Sequence, residues 1–344
     1  MKFNVRVSKH HILVVVVSLL VLIGFIGAVI WINASENNGS TVPSGNESVP
    51  TVSTGTQEET GAVFYVGGKA VRLKENVETV LFLGLDKYLE DSESDVHINN
   101  QQADTLMLAV FDHDSKEVSL LPINRDTMTE VDTYSVTGDF SGSETMQIAL
   151  SHAYGTGEKN SCENTVKAVW NLLYNVPIDH YASLKMDAVP YLNDVVGGVT
   201  LTLKEDFTTL DPSFTKGTTV NLSGAQALTY IRSRQDTEEQ TNTSRMERQN
   251  QYIDSWAERF TEAYAANDAL VVDMFYELSP YMYTDLSVNE LDEMAVCLQT
   301  YQKNPVLHIE GESKIVNNFM EFHVDSSALE QLVCDLFFVP VEQN

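Results

Sequence analysis

The sequence predicts an α/β domain with a mixed sheet covered by helices, and three observations carry that prediction. Short apolar runs of strand length stand at TVLFLGLD (79–86), TLMLAVF (105–111) and EVSLLPI (117–123). Stretches with helical spacing follow, as in SCENTVKAVWNLLYN (161–175). The two patterns interleave along the chain rather than segregating, as they do where helices lie on a sheet. With 344 residues, 43% of them hydrophobic and 9% aromatic, there is enough apolar material for a proper core.

Taken in order, residues 1–11 form a short tail carrying Lys2, Arg6 and Lys9. Residues 12–32 then run from ILVVVVSLL into VLIGFIGAVI and on to Ile32 without a formal charge. At about 1.5 Å per residue this is roughly 30 Å of helix, the thickness of a bilayer core. A cleaved signal peptide is the alternative, but its apolar stretch is usually about 7–15 residues long and ends in small residues. Ile32 stands where Ala34 needs a small partner, which favours an uncleaved signal-anchor. Basic residues before the span and none for a long way after it predict a single-pass type II protein of the cell membrane, its tail cytoplasmic and the remainder outside.

Residues 33–62, beginning NASENNGSTVPSG, are built of Ser, Thr, Gly, Asn, Pro and Glu with almost nothing to bury, so they read as a flexible tether spanning roughly 30 Å. The folded domain is expected over 63–315, with a C-terminal strand and helix, 316–344, packing on it. Within it, TVLFLGLD is a buried strand ending in Asp86, and 105–111 pairs with 117–123 across the polar DHDSK turn. A helix over 161–175 leads to a strand, IDHYASLKM (178–186). DAVPYLNDVVG reads as a helix, GVTLTL as a strand, and SGAQALTYI as a helix opened by the capping box of Ser223 and Gln226. A long helix is expected beyond Arg248, then two helical segments within DMFYELSPYMYTDLSVNELDEMAVCLQTY, the second capped by Ser287 and Glu290. VLHIEGE and MEFHVD read as late strands, and SSALEQLVCDLFF as a terminal helix.

A formal net charge of −28 argues against nucleic acid as a partner and against general attraction to anionic lipid. Cys162, Cys297 and Cys334 are odd in number and widely spaced, so neither a disulfide framework nor a zinc site is indicated. Buried thiols are expected.

Against that acidity, TYIRSRQDTEEQTNTSRMERQNQ (229–251) concentrates Arg232, Arg234, Arg245 and Arg248 in one short window. If TYIRSR ends a strand, Arg232 and Arg234 share a face. Ser244 and Glu247 have the spacing of a helix start, which places Arg245 where the helix dipole opposes a positive charge. An anion bound at that N-terminus offsets the cost and recruits Arg245, Arg248 and Gln249 from one face. The bland alternative is pairing with Asp236, Glu238 and Glu239. Two same-face pairs favour a phosphorylated ligand, which the planar guanidinium matches bidentately.

Asp86 and Asp104 stand at strand ends, where either alone is commonly a turn or cap residue. Beside a phosphate-binding arginine cluster they point to Mg²⁺, which takes one or two carboxylates plus phosphate oxygens and water. After SLLPI, Arg125 and Asp126 add a guanidinium next to a carboxylate able to orient it.

LFLGLD, QQADTLML, INRDTM, SHAYG (151–155), the stretch 187–198 ending VVGG, LSGAQALTYIRSR and SRMERQNQ occur in register, and with them the chain resembles the LytR-CpsA-Psr (LCP) family of bacterial cell-envelope proteins. The similarity runs from about Val63 to Glu312. It implies a three-layer α/β/α domain that binds a glycopolymer on a polyprenyl pyrophosphate carrier, the lipid tail in an apolar groove. It also implies transfer of the phospho-glycopolymer, whether teichoic acid, capsule or wall polysaccharide, to the C6 hydroxyl of N-acetylmuramic acid in peptidoglycan. By the same resemblance Asp86 and Asp104 hold Mg²⁺, and Arg125, Arg232, Arg234, Arg245 and Gln249 grip the pyrophosphate, with Arg248 in a second row. Asp126 either orients Arg125 or serves as the base. Many family members have Arg-Ser ahead of the Asp-Thr pair, where this chain has Gln102-Ala103. A module that only holds lipid-linked precursors and a polyprenyl-pyrophosphate hydrolase are the alternatives.

Overall fold

The computed structural model describes residues 63–66, 69–85, 101–135, 137–232, 248 and 277–341, with part of the stretch 251–274. The tail, the apolar run 12–32 and the tether 33–62 lie outside these residues. Among the described residues no helix is long and apolar enough to cross a membrane.

The chain begins with β1 (Val63–Val66) and β2 (Lys69–Leu73), an antiparallel pair. The central sheet follows from the three apolar runs: β3 (Val77–Leu85), β4 (Ala103–Asp112) and β5 (Glu117–Ile123) form consecutive antiparallel pairs. A separate hairpin of β6 (Met128–Tyr134) and β7 (Phe140–Gln147) comes next. Helices α1 (Leu150–Ala153) and α2 (Glu158–Leu172) lead to β8 (His180–Lys185), which lies parallel to β3.

After α3 (Val189–Val195), a hairpin of β9 (Val199–Thr202) and β10 (Thr219–Leu222) and then α4 (Gly224–Arg232), the chain returns to the sheet through β11 (Met282–Thr284). It continues with α5 (Val288–Thr300), β12 (Gln302–Lys303), the hairpin of β13 (Gly311–Val316) and β14 (Phe319–Val324), α6 (Ser326–Phe337) and β15 (Phe338–Pro340). The central sheet has the order β11-β8-β3-β4-β5-β12 and is mixed, since β8 and β12 run parallel to their neighbours β3 and β5.

Period-two alternation divides the core between two faces. Leu81, Leu83, Leu106, Leu108 and Leu121 pack with Val169 and Leu172 of α2 and with Val333 and Phe337 of α6. Val80, Phe82, Met107, Ala109 and Phe111, on the opposite face, meet Leu286 and Met294 at α5. Helices thus cover both sides of the sheet. A third cluster packs α3 and α4 around Phe207, Phe214, Tyr230, Trp256 and Phe260.

Both capping boxes form. Ser223 and Gln226 exchange hydrogen bonds at the start of α4, and Ser287 and Glu290 do so at α5. Three expectations need correction, and one strand is new. Residues 229–232 are helical, not a strand end, because the apolar face of α4 continues through Tyr230 and Ile231 into the third core. Residues 282–284, given no element of their own between the two expected helical segments, form β11 on the sheet edge against β8. The strand read from VLHIEGE is displaced to 311–316; Leu307 and Ile309 are apolar because they pack on the core. Of the cysteines, Cys162 is buried while Cys297 and Cys334 are partly exposed, all three as free thiols.

Candidate functional site

The register of the central sheet gathers several chain segments at one end. β3 and β8 finish side by side, Leu85 opposite Lys185. β4 starts there, Ala103 opposite Leu85, and β5 finishes with Ile123 opposite Leu106. Asp104 therefore stands one strand away from Arg125 and Asp126. Arg125 donates through Nη1 to Asp104 Oδ1 and through Nη2 to Gln102 Oε1 at 2.6 Å, and its Nε lies 3.6 Å from Asp126 Oδ1. All three charged side chains are roughly a quarter exposed, open to a ligand yet less screened than on a free surface. Gln102, where the resemblance expects arginine, is thus a neutral acceptor that fixes Arg125.

Asp126 is held on several sides. Its N–H donates to Asn124 Oδ1 at 2.9 Å, and Gln147 Nε2 donates to its Oδ1 at 3.1 Å. The Phe322 N–H donates to its carbonyl at 2.8 Å. Burial raises its carboxyl above the ordinary value, with Arg125 opposing.

The SHAYG motif now gains a role. The Ala103 N–H donates to the Ala149 carbonyl at 3.0 Å and the Ala149 N–H to the Arg125 carbonyl at 3.1 Å, so the turn into α1 ties both strand ends together. His152 reinforces it: Nδ1 lies 2.8 Å from the Gln101 carbonyl and must be the donor there, because a carbonyl oxygen only accepts, and burial lowers the ring's pKa to about 4. Its Nε2 faces the Cys162 thiol at 3.9 Å, which burial pushes up to about 11 and so keeps protonated. Gly155 lets this turn close on α2, since a Cβ there would lie 2.3 Å from Ser161 Cα. A histidine between small residues is too common a pattern to have announced this.

Of the arginine cluster, Arg232 ends α4 and is partly exposed. Arg248 is only 5% exposed and is turned into the third core, its guanidinium carbon 4.9 Å from the Phe207 ring and its Nη1 donating to the Tyr230 carbonyl at 3.2 Å. Burial lowers its pKa from the ordinary value, with Tyr230 and Glu205 opposing. Its place in this structure is a packing one. Asp86, Arg234, Arg245 and Gln249 lie outside the described residues. Among those described, no group of three or more His, Cys, Asp or Glu side chains is arranged for a metal ion. The donor chemistry at the sheet end nonetheless fits a hard cation, for Asp104 Oδ1 and Gln102 Oε1, both oxygens, already converge on one positive group.

The profile of the LytR_cpsA_psr family matches residues 44–336. The chain is 26% identical, over 95% of its length and 77% of the other, to the polyisoprenyl-teichoic acid–peptidoglycan teichoic acid transferase TagV of Bacillus subtilis (strain 168). It is 27% identical over 218 residues, 63% of this chain and 64% of the other, to the transferase of the same description, TagU, of Enterococcus faecalis. The crystal structure of B. subtilis TagV superposes with a TM-score of 0.51 over 76% of this chain and 96% of that one, at 24% identity, and so speaks to the fold.

Proposed function

We propose, from the premise that this chain belongs to the LytR-CpsA-Psr family, that it moves a phospho-glycopolymer from a polyprenyl pyrophosphate carrier to the C6 hydroxyl of N-acetylmuramic acid in peptidoglycan. The names of its relatives make a teichoic acid the first polymer to test. The observation that carries the reading is the placement of Arg125 at the end of the sheet, held by Asp104, Gln102 and Asp126 with its guanidinium still partly open.

Phosphoryl transfer depends mostly on positioning and charge stabilisation. In this reading Arg125 and Arg232 bind the diphosphate together with Arg234, Arg245 and Gln249. The C6 oxygen attacks the sugar-side phosphorus, the bond from that phosphorus to the bridging oxygen breaks, and polyprenyl phosphate departs with the bonding pair. The arginines neutralise the charge that grows on the departing phosphate. Asp126 orients Arg125 through Nε and is by motif the candidate to take the hydroxyl proton, a task its burial favours by raising its affinity for protons. Asp104 and Asp86 would hold Mg²⁺, which when bound withdraws charge from the phosphate oxygens. In such a site Arg125 exchanges Asp104 for phosphate on binding.

The apolar run 12–32 serves in this reading as the anchor that keeps the domain at the outer face of the cell membrane. The test is the full chain in membranes, given a lipid-pyrophosphate-linked polymer with and without peptidoglycan. Polymer joined to peptidoglycan through a phosphodiester is the expected product. Release of polymer phosphate without an acceptor would make the protein a hydrolase, and retention without turnover a binding module.

A further inference from the structure

The β13–β14 hairpin is a separate two-stranded ribbon, an arrangement marginal on its own, and packs on the domain through the buried Phe322. Its tip is more apolar than solvent warrants: Ile315 is 73% exposed, Phe319 67%, Met320 42% and Val316 38%. Ile315 pairs with Met320 and Val316 with Phe319, so these pairs project from opposite faces of the ribbon. A protein partner would call for one apolar face, whereas a tip apolar on both faces suits an apolar medium that surrounds it. Immediately behind stand Lys314 and Glu321, opposite one another, and Glu312 opposite His323, a charged collar. From collar to apex is about three residues, or roughly 10 Å, the depth to which interfacial segments enter a bilayer. Asn317 and Asn318 make the two-residue turn with φ of 50° and 69°.

We propose that this hairpin tip docks into the outer leaflet of the membrane. The inference rests on the reading of residues 12–32 as a membrane anchor and of 33–62 as a tether of roughly 30 Å, which together would keep the domain within reach of that surface. The hairpin is fastened to the candidate site along β14, at Met320 beside the tip and at Phe322 behind the collar. Gln147 Nε2 donates to both Asp126 Oδ1 and the Met320 carbonyl, the latter at 2.6 Å, and the Phe322 N–H donates to the Asp126 carbonyl. Docking would therefore bring the Asp126 end of the sheet to the bilayer, where a lipid-borne diphosphate lies at headgroup level.

The experiment uses the full chain reconstituted in phosphatidylethanolamine–phosphatidylglycerol vesicles whose acyl chains are brominated either near the headgroup or near the methyl end. Phe319→Trp is compared with Val296→Trp, an exposed position on α5, both in a Trp31→Phe background. Tip docking predicts that the fluorescence added by Phe319→Trp is quenched at least about two-fold more than that added by Val296→Trp, and more by the shallow bromines than by the deep ones. Equal quenching at the two positions overturns the proposal. So does quenching that appears only at high chain density, which would assign the tip to a second copy. Carbonate extraction of the same vesicles tests the anchor separately: release of the chain with tip quenching intact would sink the anchor reading alone.

Discussion

Arg125 and Asp104 close an ion pair across the ends of two neighbouring strands. Each therefore holds the other in place until a ligand competes. Arg125→Ala removes a charge-assisted contact worth about 1.5–3 kcal/mol and is expected to lower polymer transfer roughly ten- to a hundred-fold. Unaltered transfer by this variant, measured with folded protein, would contradict the assignment.

Gln102→Ala takes away only the neutral acceptor at Arg125 Nη2. A net loss of about 1 kcal/mol is expected to appear as an approximately five-fold higher KM for the lipid donor with kcat little changed. Steady-state kinetics over a range of donor concentrations separates the two parameters.

Stability should depend on pH through His152. Its folded pKa of about 4 lies below the ordinary 6.5, so the unfolded chain binds the proton more readily between these values. The neutral ring's contribution is present in full above about pH 6.5 and is lost as the pH falls toward 4, by about 3 kcal/mol in all. Urea unfolding at pH 7 and pH 4.5 measures the slope, which His152→Gln should flatten.

Arg232 and Arg248 should part company when truncated. Arg248→Ala vacates a buried stack on Phe207 and leaves the Tyr230 carbonyl without that donor, at a cost of about 2–4 kcal/mol visible as a lower Tm. Arg232→Ala, at the partly exposed end of α4, is expected to keep the wild-type Tm and lose transfer. Equal Tm values for the two variants would put Arg248 back among the exposed ligand-binding side chains.

The central strands were legible because each buries a continuous apolar run, and the capping boxes because their chemistry is local. The β6–β7 hairpin was not, since Phe140–Gln147 is mostly exposed and alternates no apolar residues. Three residues of β11 carry too little pattern to stand out between two helical stretches. At the site, Asp104, Arg125 and Asp126 were identified from their strand ends, and the sheet brings them together. The setting of Arg248 was hidden because its aromatic partner Phe207 comes from a distant loop, and no spacing rule links the two. His152 was quoted within a motif, but its task depends on Gln101, 51 residues earlier.

The hydrogen bond from Gln147 to Met320, 173 positions apart, has a bearing on the order in which the molecule matures. A ribosome delivers Asp126 and Gln147 long before the ribbon that bonds to them. A nascent chain therefore waits for Met320 and Phe322 before this corner sets, and fragments ending before them should be inert even when their central sheet has formed.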